Sequence, residues 1–401
     1  MKRAVVIPTY WTWRQGEEQA DSLVFDHPTP LDEKGTLARC LESLKSLKGE
    51  FDLILIAVPT HPELQEALET RIIELLNGLD LSYRIIPVFP STIRKIQSVV
   101  GSNETEEILN LNGYSQVRNA CILIPAILGY DAFILLDDDE VVLDEDFLDK
   151  AVAHLRETFQ GEKIAAKAGV YIQPHGTPFF KGREAWWRFF FNSRKAMNET
   201  FRIIESGERI VDAPFAFGGN MVLSSDLIEQ GICFDPNIAR GEDIDFLVNV
   251  KCEGYSFVLD TALKILHLPP KSHNPDWLKI RQDASRFLYM KCKLEELKHL
   301  SLKCPVSPDD LRPYPGAFLD WTLKVRISLT NLLLSLNYLS RLKIRDAIEA
   351  LSSIQLIFKN HHGVVFSYFL FKERWKQITK RLAECKELKS ILLEKNISRK
   401  E

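Results

Sequence analysis

Phe133-Ile134-Leu135-Leu136-Asp137-Asp138-Asp139-Glu140 joins four apolar residues directly to four acidic ones. An unbroken apolar run of this length reads as a strand buried on both faces, the kind found inside parallel sheets. Ligands of open α/β sheets bind just beyond the carboxyl ends of such strands. Carboxylates crowded there repel one another and raise each other's pKa unless a cation neutralises them. Hard oxygen ligands suit Mg2+ or Mn2+, and Mg2+ is commonly held by one or two carboxylates together with substrate phosphates. The competing reading is a solvated acidic turn leading into a helix near Asp144, and the strand context favours the ligand site.

Upstream, Ala4-Val5-Val6-Ile7 reads as a first buried strand. Thr36 to Leu47 then places Leu37, Cys40, Leu41, Leu44 and Leu47 at helical spacing, with Gly49 as a stop. Phe51 to Val58 and Tyr83 to Val88 read as further strands, separated by a helix from Pro62 to Leu76. Pro90 to Gly113 is expected to be irregular, and Ser115 to cap a helix that runs to Leu128 and closes at Gly129. Strands alternating with helices predict an α/β fold with a mostly parallel, doubly wound sheet.

Downstream, a helix is expected from about Asp146 to Phe159 and a strand from Ile164 to Tyr171. The segment Trp186-Trp187-Arg188-Phe189-Phe190-Phe191 reads as core, and Gly218 to Leu223 as a loop entering a strand. Glu242 to Cys252 reads as a helix with Ile244, Leu247 and Val250 inward and Gly254 at its end. Ser256 to Leu259 and Leu263 to Leu266 read as short extended pieces. Beyond Pro269-Pro270 the pattern is helical: 276–300, a break over Pro305 to Pro315, then helix-forming sequence to Lys400. A domain boundary is therefore expected near residue 270.

The 401 residues, 45% of them hydrophobic, can bury a large core and are expected to exceed one domain. A net charge of -4 gives no overall basic field, which argues against nucleic acid as the main partner. The seven cysteines are scattered and include no C-x-x-C pair, as in a cytoplasmic protein with reduced thiols. Met1-Lys2-Arg3 leads into too few apolar residues for a signal peptide, and no stretch approaches the roughly 20 apolar residues of a spanning helix. Peripheral membrane contact through the C-terminal helices stays open. The tail from Phe371 to Glu401 carries ten Lys or Arg against five Glu, near Phe366, Tyr368, Phe369, Phe371 and Trp375. That composition suits an anionic surface, whereas the alternation of charge signs favours a solvated helix.

Two more constellations bear on chemistry. Arg240-Gly241-Glu242-Asp243-Ile244-Asp245 sets adjacent carboxylates at a helix start, where the dipole favours ionisation and a general base is well placed. Simple helix capping is the plainer alternative. His267 ends the run Ile265-Leu266, and with two carboxylates it would complete an O,O,N set suited to Mn2+.

Taken in order, these segments resemble the family-2-like glycosyltransferases of GT-A fold over about residues 4 to 270. Pro8-Thr9-Tyr10 matches the strand end that lines the nucleotide base. Gly113-Tyr114-Ser115-Gln116-Val117-Arg118-Asn119 matches a G-x-S-x-x-R-N segment entering a helix. Asp137-Asp138-Asp139 matches the D-x-D, Gly218-Gly219-Asn220 the acceptor-side glycine segment, Glu242-Asp243 the catalytic-base pair, and His267 a histidine that can join the metal. The resemblance implies transfer of a sugar from a UDP- or GDP-sugar to a hydroxyl of a small polar solute or glycan, with inversion and with Mn2+ or Mg2+. It implies that Pro8, Thr9, Tyr10, Arg118, Asn119, Asp137 and Asp138 meet the donor. It further implies that Asp139, His267 and Asp137 hold the metal, and that Asp243, or else Glu242, is the base. Residues 1–140 would then be the nucleotide-binding half and 141–270 the acceptor half of a catalytic domain, followed by an α-helical domain over 271–401. The insert from Thr12 to Lys34 and the extra acid Glu140 depart from the family pattern.

Three alternatives compete. A haloacid-dehalogenase-type phosphotransferase would use Asp137 as nucleophile in D-x-D-x-V, yet its strand should come first in the domain and here comes about fourth. A sugar nucleotidyltransferase needs a glycine-rich loop after the first strand, and Pro8 to Arg14 contains no glycine. A non-catalytic nucleotide-sugar-binding scaffold has no need of Asp139, Glu242, Asp243 and His267 together.

Overall fold

A computed structural model describes residues 1–17, 25–101, 103–271, 274–300 and 302–396. Its strands in chain order are β1 (Arg3–Thr12), β2 (Thr29–Pro30), β3 (Asp52–Pro59), β4 (Arg84–Val88), β5 (Ala132–Leu136) and β6 (Glu140–Val141). They continue with β7 (Thr158–Phe159), β8 (Glu162–Ile172), β9 (Ile210–Asp212), β10 (Asn220–Ser224) and β11 (Tyr255–His267). They form one sheet with the main order β4-β3-β1-β5-β10-β8-β11-β6. Among its strands of five residues or more only β10 runs against the rest, pairing antiparallel with β5 and with β8. This is the expected α/β architecture with a mostly parallel sheet.

Side-chain alternation along β1 shows why helices must cover both faces. Ala4 and Val6 enter one apolar core while Val5 and Ile7 enter the other, and Ile54/Leu55 and Leu135/Ile134 divide in the same way. The helices Leu37–Ser43, Gln65–Asn77 and Phe147–Val152 cover the second face. The helices Tyr114–Leu128 and Glu242–Cys252 cover the first, and the C-terminal helices Asp276–Leu297, His362–Glu384 and Lys386–Leu393 join the same core through Leu288, Trp375 and Leu388.

Several local expectations need correction. Pro90 to Gly113 is not irregular: it holds the helices Pro90–Val100 and Asn103–Ile108. Proline at the first helical position is pre-organised for a helix start. Ile93, Ile96 and Ile108 then bury in the core shared with the C-terminal helices, while Lys95 pairs with Glu394 and Arg374 with Glu107. The contacts that fix these short helices come from far along the chain. The helix expected over 146–159 is only Phe147–Val152 and gives way to the β7 hairpin. Ser115 lies inside its helix rather than capping it; Gly113, at φ 119°, takes the N-cap, and the Ser115 hydroxyl donates to the Ile238 carbonyl at 2.7 Å. The two extended pieces near 260 are one strand with a register shift between Leu259 and Lys264. In the aromatic segment only Trp187 and Phe191 are core; Trp186, Phe189 and Phe190 are exposed.

Candidate functional site

Chain reversal at the end of β5 builds the site. The Glu140 amide donates to the Asp137 carbonyl at 3.2 Å, and the chain returns as β6, with Glu140 opposite His267 and Val141 opposite Leu266 at the end of β11. The Leu268 amide donates to the Asp139 carbonyl at 3.0 Å, tying the two ends together. The acidic turn, the end of β11 and the start of β10 therefore converge at one edge.

Asp137, Asp139 and Glu140 each offer a carboxylate oxygen, and these three oxygens lie within 4.8 Å of one another. Glu140 is fully buried, its Oε1 has no hydrogen-bond partner among the described residues and its Oε2 accepts from the Asp137 amide at 2.9 Å. A Cβ on Gly219 would fall 2.2 Å from Glu140 Oε1 and 2.5 Å from Asp137 Oδ2, so only glycine leaves this space open. Three hard oxygens, one of them an orphaned buried acceptor, fit a Mg2+- or Mn2+-type cation.

Asp139 faces two histidines, with His267 Nε2 3.6 Å and His27 Nε2 3.5 Å from its Oδ2. The Tyr171 ring stacks on His267 at 4.6 Å between centroids, and the Tyr171 hydroxyl accepts from the Gly219 amide at 2.7 Å. Burial works to raise the Asp139 pKa, but the His27 contact and the charge of His267 hold it below the ordinary carboxylate value. Burial lowers His267 in spite of Asp139. Glu140 is pushed up by burial and then by Asp137 and Asp139.

Asp138 points elsewhere. Its Oδ2 accepts from the Thr9 hydroxyl at 2.6 Å, the Trp11 indole donates to Thr9 Oγ1 at 2.9 Å, and Thr36 reaches Asp138 Oδ1 at 3.3 Å. Burial pushes Asp138 up to about 7, Asp139 adds to the rise, and the Thr9 hydrogen bond opposes it. Pro8 is buried in the sheet, and the Tyr10 ring lies 4.4 Å from Phe25 and 5.5 Å from Tyr114 between centroids.

Arg118 joins the acidic turn to the second carboxylate pair. Its Nη2 donates to Asp137 Oδ1 at 2.7 Å and its Nε lies 3.6 Å from Glu242 Oε1, while Nε and Nη1 are buried without hydrogen-bond partners among the described residues. Asp243 Oδ2 accepts from the Gly218 amide at 3.1 Å and Oδ1 from the Ile244 amide at 2.8 Å. Gly241, at φ 76°, turns the chain into this helix. Burial raises both Glu242 and Asp243; Asp243 adds to the rise at Glu242, and Arg118 opposes it at both.

Two predicted residues serve the frame. The Asn119 side chain donates to the Phe234 carbonyl at 2.9 Å and accepts from the Phe234 amide at 2.8 Å. The Asn220 amide donates to the Leu263 carbonyl at 3.1 Å and the Val170 carbonyl at 3.4 Å. Sequence reasoning missed His27, Phe25 and Tyr171. The first two lie in the Thr12–Lys34 insert, of which 18–24 fall outside the described residues, and no periodicity placed that loop against the site. Tyr171, at the end of β8, could have been found from the rule that strand ends face ligands.

Solved structures similar to this chain include the mannosyltransferase PcManGT from Pyrobaculum calidifontis in complex with GDP-Man and Mn2+, at 11% identity and a TM-score of 0.45, covering 94% of this chain and 87% of that one. Residues 1–349 of S. aureus TarS in complex with UDP share 14% identity at a TM-score of 0.36, over 88% of this chain and 91% of that one. Glucosyl-3-phosphoglycerate synthase from Mycobacterium tuberculosis, in complex with Mn2+ and UDP-glucose, shares 13% identity at a TM-score of 0.35, over 71% and 78% of the two chains. No family model matches the sequence, and no curated protein matches it.

Proposed function

We propose that the protein is a divalent-metal-dependent, inverting glycosyltransferase of the family-2-like GT-A type, using a UDP- or GDP-sugar and a hydroxyl-bearing acceptor, a small polar solute or a glycan. The observation that carries this reading is convergence. Arg118, Asp137 to Glu140, Gly218-Gly219, Glu242-Asp243 and His267 come from five separated segments and meet through direct contacts. In this reading residues 1–140 bind the nucleotide, 141–270 shape the acceptor side, and the helices of 271–401 support the base helix.

Asp137, Asp139 and Glu140 would hold Mn2+ or Mg2+ beside His267 and His27, and a bound divalent cation supplies neutralisation of the charge that develops on a departing diphosphate. Arg118 holds Asp137 in place and adds a fixed positive charge between the two acidic groups. Gly219 leaves the room beside Glu140 that a side chain would fill. Asp243, more open than Glu242 and steadied by two backbone amides, accepts the proton of the acceptor hydroxyl; Glu242 is the second candidate. Burial raises both carboxyls toward the range in which a general base works best near neutral pH. A phosphotransferase role for Asp137 is disfavoured because Arg118 engages its carboxylate and Phe234 to Arg240 forms no strand.

The test is release of nucleoside diphosphate from a panel of UDP- and GDP-sugars with Mn2+ and candidate acceptors. Asp243→Asn is expected to reduce turnover by roughly 10² to 10⁴ while donor binding persists, with inversion at the anomeric carbon of the product. If Glu242→Gln alone causes that loss, the base is reassigned. If both variants keep full turnover, or the anomeric configuration is retained, the mechanism fails.

A further inference from the structure

The helices Leu323–Leu339 and Ile344–Ser352 carry an apolar stripe on their outer side as well as apolar residues on their inner one. Along the first, Thr330, Asn331, Ser335 and Asn337 are buried, while Val325, Leu332, Leu336 and Leu339 face outward. At 100° per residue those four outward positions fall on one narrow stripe. The second helix repeats the arrangement, with Ala347 and Ala350 inward and Ile344, Ile348 and Leu351 outward at i, i+4 and i+7. The inner residues of both helices, Leu334 and Tyr338 with Ala347 and Ala350, enter one small core with Ile280 and Trp187, so the two outer stripes turn away from it together. A surface helix ordinarily carries polar residues on its outer side, and an apolar outer stripe on two adjoining helices marks an interaction site.

Charge identifies what covers it. The turn between the helices and the start of the second read Arg341-Leu342-Lys343-Ile344-Arg345, and all five residues are exposed, Leu342 by 87%. The acidic residues of the second helix are turned inward: Asp346 accepts from the Trp277 indole at 3.1 Å, and Glu349 pairs with Arg281 at 2.8 Å. Arg341, Lys343 and Arg345 make no ion pair among the described residues. A second copy of the same turn would bring like charges together, whereas an anionic bilayer offers acyl chains to the stripe and headgroups to the cations. We propose that this helical hairpin is a peripheral anchor that lies in the interface of an anionic membrane, Leu342 and Ile344 entering the acyl region and the three cations meeting headgroup phosphates. No helix among the described residues is long and apolar enough to span a membrane, so the contact is with one leaflet. The proposal is independent of the donor site. It also relocates the contact from the tail, where Tyr368, Phe371 and Trp375 are buried.

Flotation of the full chain with vesicles tests it. Binding is expected to an equal mixture of phosphatidylglycerol and phosphatidylcholine, weakened by salt, and not to phosphatidylcholine alone. Leu342→Glu with Ile344→Glu should abolish flotation. Replacing Arg341, Lys343 and Arg345 together by Ala should weaken partitioning on the order of 100-fold, from about 1 kcal/mol per charge. These side chains are exposed, so melting temperatures should not change, and a variant that unfolds is replaced by Leu342→Gln with the same expectation. Absence of flotation by the wild type, equal binding to neutral vesicles, or a stable dimer in light scattering that Leu342→Glu dissolves would each overturn the proposal, the last in favour of self-association.

Discussion

The helix Glu242–Cys252 touches two buried groups of acids, and they differ in how their charge is met. At its N-terminus Glu242 and Asp243 join the Asp137–Glu140 turn, where Arg118 is shared by Asp137 and Glu242, Arg286 faces Asp243, and Glu140 Oε1 has no hydrogen-bond partner among the described residues. One turn on, Asp245 and Asp235 close on Lys293 at 2.8 Å each. Tyr289 and Asn237 bond Asp235, Asn249 bonds Asp245, and the Tyr368 ring lies 3.7 Å from the ammonium. The second group is a fastening between the helices Asp276–Leu297 and Glu242–Cys252. The first is left with an excess of negative charge, the condition under which burying several carboxylates makes sense only if a cation or a cationic ligand state joins them.

Removing charge should therefore have unequal consequences in the two places. Lys293→Met leaves two buried aspartates without their cation and is expected to cost about 3–5 kcal/mol of stability in urea unfolding. Asp139→Ala removes a charge that repels its acidic neighbours but also the partner of His27 and His267, so its cost in stability should be much smaller than that of Lys293→Met, while Mn2+-dependent binding of nucleoside diphosphate is lost in calorimetry. Equal destabilisation by both variants would break the distinction and make the acidic turn another structural cluster.

Smaller effects belong to the histidines. His267→Ala and His27→Ala are each expected to weaken Mn2+ affinity 10- to 100-fold, about 1.4–2.7 kcal/mol, as for other groups that orient or complete a metal site. A titration of His27→Ala that matches the wild type would confine the metal surroundings to residues the sequence had already pointed to.

That contrast between His267 and His27 shows what could be read beforehand. Strand-end positions were legible, because apolar runs such as Phe133 to Leu136 and their acidic or histidine ends follow from burial and alternation, and the helix Glu242–Cys252 was placed at its observed bounds. Residues set by long-range packing were not. His27 reaches Asp139 only because Phe25 packs against Tyr10 and Tyr114, and because Thr29–Pro30 pairs with Trp11–Thr12. The helix Pro90–Val100 was hidden for the same reason, its β-branched residues having weak helix propensity until the C-terminal helices cover them. Lys293 gave no signal at all, since a lysine in a helical pattern reads as solvated.

The smallest effect sharpens the comparison through pH. Asp138 has its pKa pushed up to about 7 in the folded protein by burial and by Asp139, against 3.8 as its ordinary value. Between those two values the folded state holds a proton that the unfolded state has released, so this group makes stability fall as pH rises from about 4 to about 7. Glu140, also raised, acts with the same sign, whereas Asp139, held low, makes stability rise with pH only around and below its ordinary value. The net slope of the wild type is therefore mixed, but the difference between wild type and Asp138→Asn isolates one group. With divalent ions removed by a chelator, the melting temperature of Asp138→Asn relative to wild type should rise as pH increases across that window, because the amide has no proton to lose and still accepts from Thr9. A constant difference across the window would place the Asp138 titration outside it. Asp138 would then be ionised in the folded protein across the window and would add to the excess charge of the site.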